Sequence, residues 1–317
     1  MKYRSLIDRQ KGFTLIEIMI ALLLGIFLTS GVIQIFLGSK QSYRMQDNLS
    51  RLQENGRFAM YFIARDIRMS GYWGCVKNND NVITNNIDTT DSDYDSTIHA
   101  FTNSITGTNG TVDGTNPALD ASDSITIKGA FDSGVRITAS SSAVSALSTA
   151  SGQSVGDIAI VSDCRTGDIF QVDTAANQAP GNTAATVSKV YGIDSRIFEL
   201  QTIVYSIKTG AGGLLSLFRE DSDGDNELIE GIENMQIVYG VDNDGNKTPD
   251  YYVPASGGLD FSKVISIRIS LLVQTIDDNV TKQTLAYTYN GGTNSAPVDR
   301  RKRQVFSSTI ALRNQLP

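Results

Sequence analysis

The chain has 317 residues, a formal net charge of −7 and a 40% share of hydrophobic residues, which is enough for a globular protein with a core. This acidic balance argues against a general nucleic-acid-binding surface, which would be basic. Catalytic sites or metal cages built on histidine networks are not expected either, because His99 is the only histidine.

The N-terminal segment has the composition of a basic leader followed by a membrane helix. The first twelve residues contain four basic side chains and one acid, Asp8. From Phe13 to Leu37 the chain is almost wholly apolar, and a helix of that length reaches about 37 Å, enough to cross a hydrocarbon layer of roughly 30 Å. The positive-inside rule predicts that the leader stays in the cytoplasm and that the rest of the chain lies across the membrane.

Glu17 is the only charge in the apolar run. A carboxylate at the centre of a membrane helix costs about 2.5–3.5 kcal/mol, and less near an end, so such a residue is predicted to be functional. An ordinary signal peptide would have a shorter apolar core with its cleavage site after it. Here Gly12 precedes the run, so cleavage at Gly12 would leave the helix on the mature chain. A plain uncleaved anchor is the alternative, but it does not explain Glu17.

The stretch Gly12-Phe13-Thr14-Leu15-Ile16-Glu17 resembles the type III signal of type IV pilins and pseudopilins. The resemblance implies that a prepilin peptidase cuts after Gly12 and methylates the new N-terminal Phe13. It also implies a role for Glu17 in subunit docking. The freed α-amino group of Phe13 on a neighbouring subunit would neutralise this carboxylate inside the filament core, where either charge alone would be costly.

An amphipathic pattern predicts that the helix continues beyond the membrane to about residue 71. Gly71 suits a helix C-cap. Charged residues are interleaved with the apolar positions, and Asp66 is one of them. The apolar positions recur at spacings of three and four residues; they are Met45, Leu49, Leu52, Ala59, Phe62, Ile63 and Ile67.

Four further segments, 65–75, 161–172, 233–245 and 306–314, resemble the PilW family of minor pilins. The J-type pseudopilin of type II secretion is the nearest alternative, since it shares the N-terminal logic and a β-rich head. A membrane-anchored periplasmic enzyme is a remote alternative. No GxSxG, HExxH, P-loop or Rossmann fingerprint is present, so we do not expect an enzyme.

The predicted fold class is α+β and type IV pilin-like: a long N-terminal helix, membrane-spanning in its first half, packed on a β-rich C-terminal head. The predicted parts are a leader (1–12), a membrane or filament-core helix (13–39), its amphipathic continuation (40–71) and the head (72–317). Within the head, 76–122 is predicted to be a polar loop region that has room for short strands, and 140–154 a linker of small residues. Alternation and β-branched residues predict strands at 124–131, 135–139, 157–163, 168–173, 186–193, 196–208, 214–218, 235–241, 264–276, 284–290 and 305–312.

The two cysteines, Cys75 and Cys164, are far apart and form no CxxC motif. They are either free thiols or one disulfide. Because the head is expected across the membrane, where disulfides persist, we predict the disulfide.

Two acidic runs resemble incomplete calcium loops, in which oxygen ligands occupy alternate positions. The first comprises Asp242, Asp244, Asn246, Thr248 and Asp250, but Val253 stands where a bidentate Glu is usual. The second, weaker run comprises Asp221, Asp223, Asp225 and Glu227. Each run is otherwise an acidic hairpin turn. No cofactor is expected to be required, and calcium is the one metal that the pattern suggests.

The resemblance implies partners and a location. The partners are other minor pilins, the major pilin, a PilY-type adhesin and the prepilin peptidase. The chain would lie in the bacterial inner membrane with its head in the periplasm, and after assembly in the extracellular pilus. The basic run 300–303 is interpreted as a solvated strand edge, and direct nucleic-acid binding is not expected.

Overall fold

The computed structural model describes residues 12–76, 82–90, 94–110, 122–137, 156–172, 187–290, 292–294 and 298–315. One long helix, α1, runs from Leu15 to Met69 and comprises 55 residues. A short helix, α2, spans Ser96–His99, and a 3-10 turn spans Phe261–Lys263. Residues 1–11 of the leader and the predicted linker at 140–154 lie outside the described residues.

The described head consists mainly of β-strands. Their bounds are β1 Ile83–Asn85, β2 Ile105–Thr108, β3 Ser124–Ala130, β4 Val135–Arg136, β5 Ile158–Ser162, β6 Gly167–Gln171, β7 Arg196–Thr209, β8 Leu215–Asp221, β9 Gly224–Glu230, β10 Ile232–Val241, β11 Tyr251–Pro254, β12 Val264–Gln274, β13 Tyr287–Tyr289, β14 Gly292–Asn294 and β15 Arg303–Ala311.

Strand β7 organises the larger sheet. Its order is β1-β6-β5-β7-β3-β2, with β4 also paired to β7, and with β8 and then β9 continuing from β7. The first residues of β7 pair with β5 and β4, whereas its second half pairs with β3 and β8. A four-stranded antiparallel sheet of order β11-β10-β12-β15 and the small pair β13-β14 complete the described strands.

The second half of α1 is packed into the head. Leu52, Ala59, Ile63 and Ile67 share one core with residues of both large sheets. Gly56 lies on the same stripe, because a Cβ atom there would be 2.4 Å from the ring of Phe306 on β15. The helix ends at Met69, and Gly71 follows the C-cap Ser70 with a φ of +67° that favours glycine; the Gly71 N–H donates to the carbonyl of Lys128.

Two smaller cores lie on the part of the head that we call the disulfide lobe, made of β1, β4, β5, β6 and residues 196–199 of β7. Trp73 is buried in one of these cores. At the lobe's polar centre Asp168 is fully buried and accepts hydrogen bonds from Asn86, Ser188 and Tyr191. Four donated hydrogen bonds compensate this carboxylate for its lost hydration.

Two sequence predictions differ from the structure in this part of the chain. Residues 187–193 of the predicted strand 186–193 form no strand. Val187 and Tyr191 are buried there, but the Ser188 N–H donates to Asp168 rather than to a strand ladder. The alternation of apolar residues therefore reflects side-chain burial in this segment and does not indicate strand pairing. The prediction for 76–122 allowed for short strands, and β1 and β2 lie there, but it missed the helix α2.

Candidate functional site

The predicted processing site lies at the exposed start of the described chain. Gly12, Phe13 and Thr14 precede the helix and are exposed, and Phe13 keeps 83% of its surface. A Cβ atom on Gly12 would meet no atom within 4 Å. The Gly12–Phe13 bond is therefore sterically open on the side that the structure describes.

Glu17 closes the first turn of α1 by a capping box with Thr14. Glu17 Oε2 accepts from the Thr14 N–H at 3.1 Å and from Thr14 Oγ1 at 3.0 Å, while the Glu17 N–H donates to Thr14 Oγ1 at 3.4 Å. Two N–H groups that a helix start leaves without partners are satisfied in this way. Glu17 thus has a local partner before any subunit docks.

Thr14 is a site residue that the sequence interpretation missed. The signal was present, because a Thr followed three residues later by a Glu, just before an apolar run, is the signature of a capping box. Besides carrying an unusual charge, Glu17 therefore has the ordinary role of the third residue (N3) of a capped helix.

The first half of α1 has no cover from the head. Every residue from 13 to 46 is exposed, and the first buried residue of the helix is Asn48. By length and composition α1 is apolar enough to cross a membrane, and it is the one such helix in the described part of the chain. Among these bare residues, Gly25, Thr29 and Ile33 line an open groove of about 520 Å³ along one face of the helix.

The predicted disulfide is confirmed: Cys75 and Cys164 are bonded, with their Cα atoms 4.6 Å apart. Both residues are exposed. Cys75 follows the end of α1, and Cys164 lies in the turn between β5 and β6. The bond therefore ties the disulfide lobe to the end of the helix.

The first acidic run brings three of its five predicted residues together. Asp242, Asp244 and Asp250 each offer a carboxylate oxygen within 4.8 Å of the others. Backbone donors already use part of this set: Asp242 accepts from Gly245 at 2.7 Å and from Lys247 at 2.8 Å. Burial alone would raise the pKa of Asp242, but these hydrogen bonds outweigh it and lower the pKa.

The other two residues of this run are directed into the loop itself. Asn246 Oδ1 accepts from the N–H and the hydroxyl of Thr248, and Asn246 Nδ2 donates to Asp244 at 2.9 Å. Calcium binding by this loop stays a prediction.

The second acidic run lies on the β8–β9 hairpin, and calcium binding by it also stays a prediction. Its residues are absent from the convergent acidic group found among the described residues. Asp221 contacts Arg219, Asp225 contacts Lys208 at 2.7 Å, and Glu227 accepts from Ser216 at 2.6 Å. Asp223 takes part in the turn, where its N–H donates to Asp221. The alternative of an acidic hairpin turn is the one that the structure supports.

Comparisons with known proteins give matches for the N-terminal segment and for the C-terminal part of the head. The family model described as Type IV Pilus-assembly protein W matches residues 204–314, and the model of the prokaryotic N-terminal methylation motif matches residues 7–33. Over these two regions the chain is similar to the PilW family and to type IV prepilins.

The chain is also similar to the solved structure of a type IV-like pilin from Thermus thermophilus, at 12% identity and a TM-score of 0.36. The match covers 84% of this chain and 99% of that chain, but its TM-score is too low to support an argument. A comparison with curated proteins finds no match.

The region that matches the PilW model supplies two of the partners that anchor α1 through Asp66. Asp66 lies on the buried stripe of α1 with no exposed side-chain surface. It accepts from the Tyr205 hydroxyl at 2.6 Å, from Arg219 Nε at 3.3 Å and from Arg65 Nε at 3.0 Å. Burial, and then the charge of Asp66, raise the pKa of Tyr205, so this hydroxyl stays protonated and donates.

Asp66 was predicted to be one of the charges interleaved with the apolar face, and that placement is wrong. Its position three residues after Ile63 and one before Ile67 places it on the buried face. An acid at such a position needs partners, and here β7 and β8 supply Tyr205 and Arg219. The anchor thereby fixes the helix against the larger sheet.

The basic run 300–303 leads into β15, which lies at the edge of the four-stranded sheet as predicted, but two of its cations are not solvated. Arg303 has 5% of its side chain exposed and binds Glu233, Asp299 and Gln274. Arg301 donates to the backbone carbonyls of Thr275 and Ile276. Two of the four cations, Arg301 and Arg303, are therefore used in contacts within the chain.

Proposed function

We propose that this prepilin is a minor pilin that primes pilus assembly and occupies a position at or near the pilus tip, with other minor pilins and a PilY-type adhesin. The observation that carries the proposal is the division of α1. Its first half is apolar and bare, whereas its second half belongs to the core of the head. An apolar helix of this kind requires a second environment, which is the membrane before assembly and the helices of neighbouring pilins after it.

The exposed side of α1 extends this surface into the head region. Phe58 and Tyr61 are 50% and 60% exposed on the second half of the helix. Together with Gln53, Glu54 and Arg57 they line a shallow groove of about 480 Å³. Aromatic rings beside a few polar groups are typical of protein interfaces. This face supports helix-to-helix packing between the prepilin and neighbouring subunits.

The size of the head favours a low-copy position. The described head contains fifteen strands around the end of one helix. A head of this bulk on every subunit would crowd a helical shaft, whereas a few copies at the tip would not. Before assembly, the prepilin would lie in the inner membrane with its head in the periplasm, where the Cys75–Cys164 disulfide persists.

A J-type pseudopilin of type II secretion is the second candidate. The processing site and the apolar helix do not separate the two functions, since both classes share them. The match of residues 204–314 to the PilW model favours the pilus. A periplasmic enzyme receives no support, because a pilin-like family is structural in kind.

Mass spectrometry of native membranes and of sheared filaments tests the proposal. We expect a peptide that begins at N-methylated Phe13 in the filament fraction, at a molar amount far below that of the major pilin. An unprocessed leader in all fractions would indicate a plain anchor, and an amount equal to the major pilin would contradict the tip position. If deletion of the gene abolishes type II secretion and leaves pili intact, the pseudopilin reading replaces ours.

A further inference from the structure

The larger sheet has a gap along one edge of β7. Strand β5 pairs with β7 through Arg196–Glu199, and β8 pairs with the same edge from Val204 onward. Between them, no described residue is paired with residues 200–203 on this edge. The other edge is continuous there, because β3 pairs with Leu200–Tyr205.

The hydrogen bonds of β3 show where the backbone of Thr202 points. Thr202 lies opposite Lys128. The N–H of Lys128 donates to Ser104 and its carbonyl accepts from Gly71, so both groups face away from β7. In an antiparallel ladder such a pair has no mutual hydrogen bonds, and the partner's groups also face outward. The N–H and C=O of Thr202 therefore point into the gap.

The gap is also a cleft with an acidic lining. It has a volume of about 210 Å³. The carboxylates among its lining residues are Asp157, Glu199, Glu220 and Asp221. Lys208 contacts Glu220 from β7 and Arg219 contacts Asp221, whereas Glu199 accepts a hydrogen bond from the uncharged amide of Gln201. His99 and Ile98 of α2 close one side of the cleft.

We propose that this gap receives an extended segment of a partner protein that carries basic side chains. The segment would add to β7 as a short strand, with backbone hydrogen bonds at Thr202 and with its cations beside the acids of the lining. Strand addition to an open sheet edge is a general mode of peptide recognition, in which the backbone supplies affinity and side chains supply specificity. The site adds a partner surface on the head to the proposed function and does not depend on filament assembly.

The test measures peptide binding to the full chain in non-ionic detergent by fluorescence anisotropy. The probes are a short alternating Lys-Val peptide and a Glu-Val peptide of the same length. We expect the Lys-Val peptide to bind, with an affinity that falls as salt rises, and the Glu-Val peptide not to bind. Equal binding of both peptides, or binding of neither, would overturn the proposal.

Two variants of one residue isolate the backbone contact. Thr202→Pro removes the N–H that points into the gap, whereas Thr202→Val keeps it. Both lose the hydroxyl that donates to Ile98, so this contact is matched between them. We expect Thr202→Pro to weaken Lys-Val binding by about fivefold, as for one lost hydrogen bond, and Thr202→Val to bind like the wild type. Equal losses in both variants would contradict strand addition.

Hydrogen exchange on the wild-type chain gives a readout that does not depend on the proline variant folding. We expect the Thr202 amide to exchange fast in the free chain and to become protected when the Lys-Val peptide is added. Protection in the free chain would mean that another segment of this chain fills the gap, and the proposal would then fail.

Discussion

The two halves of α1 belong to one continuous helix but depend on different surroundings. The second half is amphipathic and inserts a stripe of small and β-branched residues into the head, where Asp66 is held by Tyr205 and Arg219. The first half is apolar on every side and is covered by nothing in the head. The head therefore stabilises only the amphipathic part of the helix, whose apolar face packs into the core. The remainder is left for a membrane or for other subunits.

The largest expected effect separates charge from capping at Glu17. Glu17→Ala should abolish recovery of the prepilin in sheared filaments, while the thermal unfolding of the head stays unchanged. Glu17→Gln is the matched control, because a Gln at this position still completes a capping box but carries no charge. We expect Glu17→Gln to fail in assembly as well. Normal assembly of Glu17→Gln would show that capping, and not charge neutralisation, is the role of this residue.

Removing the disulfide should destabilise the head, into which the second half of α1 is packed. The double variant Cys75→Ser, Cys164→Ser should lower the free energy of unfolding of the head by about 2–5 kcal/mol, because an 89-residue cross-link no longer restricts the unfolded chain. Chemical denaturation with and without reductant measures the loss. Reductant should destabilise the wild type and leave the double variant unchanged. Insensitivity of the wild type to reductant would contradict this prediction.

Lys128 should make the free energy of unfolding of the head depend on pH in the alkaline range. Its Nζ donates to the Ala100 carbonyl at 2.5 Å, and burial lowers the pKa of Lys128 to about 8 from 10.5. Between these values the unfolded chain binds the proton and the folded chain does not, so the free energy of unfolding rises with pH.

The size of the Lys128 effect is up to about 3 kcal/mol, since one pKa unit corresponds to about 1.4 kcal/mol. Lys128→Met should flatten the rise between pH 8 and pH 10 and should stabilise the head at pH 7. Denaturation curves for both proteins across this range measure the difference. Parallel curves would show that the ammonium group is solvated in the folded chain.

Tyr205→Phe tests the anchor of the second half of α1. The change leaves the ring in place and removes the donor to Asp66, which costs about 1–3 kcal/mol when a buried group loses its partner. Tyr251→Phe is a control, because Tyr251 is an exposed tyrosine of β11 that also bears one side-chain hydrogen bond. Equal unfolding free energies for the two variants would refute the anchor.

Calcium should give the smallest effect, on a loop away from the helix. If the acidic group at Asp242, Asp244 and Asp250 binds calcium, the ion should raise the melting temperature by a few degrees, and Asp244→Ala should remove the rise. Magnesium at the same concentration is the control, since it prefers a tighter octahedral shell. An unchanged melting temperature for the wild type in calcium would leave the loop as a hydrogen-bonded turn.

The sequence predicted the parts whose physics is local. The apolar run, the Gly-Phe junction and the amphipathic stripe gave the helix, and alternation gave β3, β5, β7, β10, β12 and β15. The disulfide followed from the compartment. Calcium and the docking role of Glu17 stay predictions.

What the sequence did not predict depends on contacts between distant segments. Asp66 was taken for a surface charge because its partners lie more than a hundred residues away. Arg303 was taken for an exposed cation for the same reason, since Glu233 lies on another strand. The gap beside Thr202 was also beyond prediction, because it arises where two strands from separate parts of the chain share one edge of β7.

The disulfide also gives the molecule a mechanical property. Without it, a pull on the disulfide lobe would reach the helix through the backbone that precedes β1, through hydrogen bonds along β7 and through the packing of the sheets. Because Cys75 stands close behind Met69, the bond to Cys164 carries that tension directly to the end of α1. The disulfide therefore joins the lobe covalently to the end of the helix. The hydrogen-bonded sheets between them share the tension but do not carry all of it.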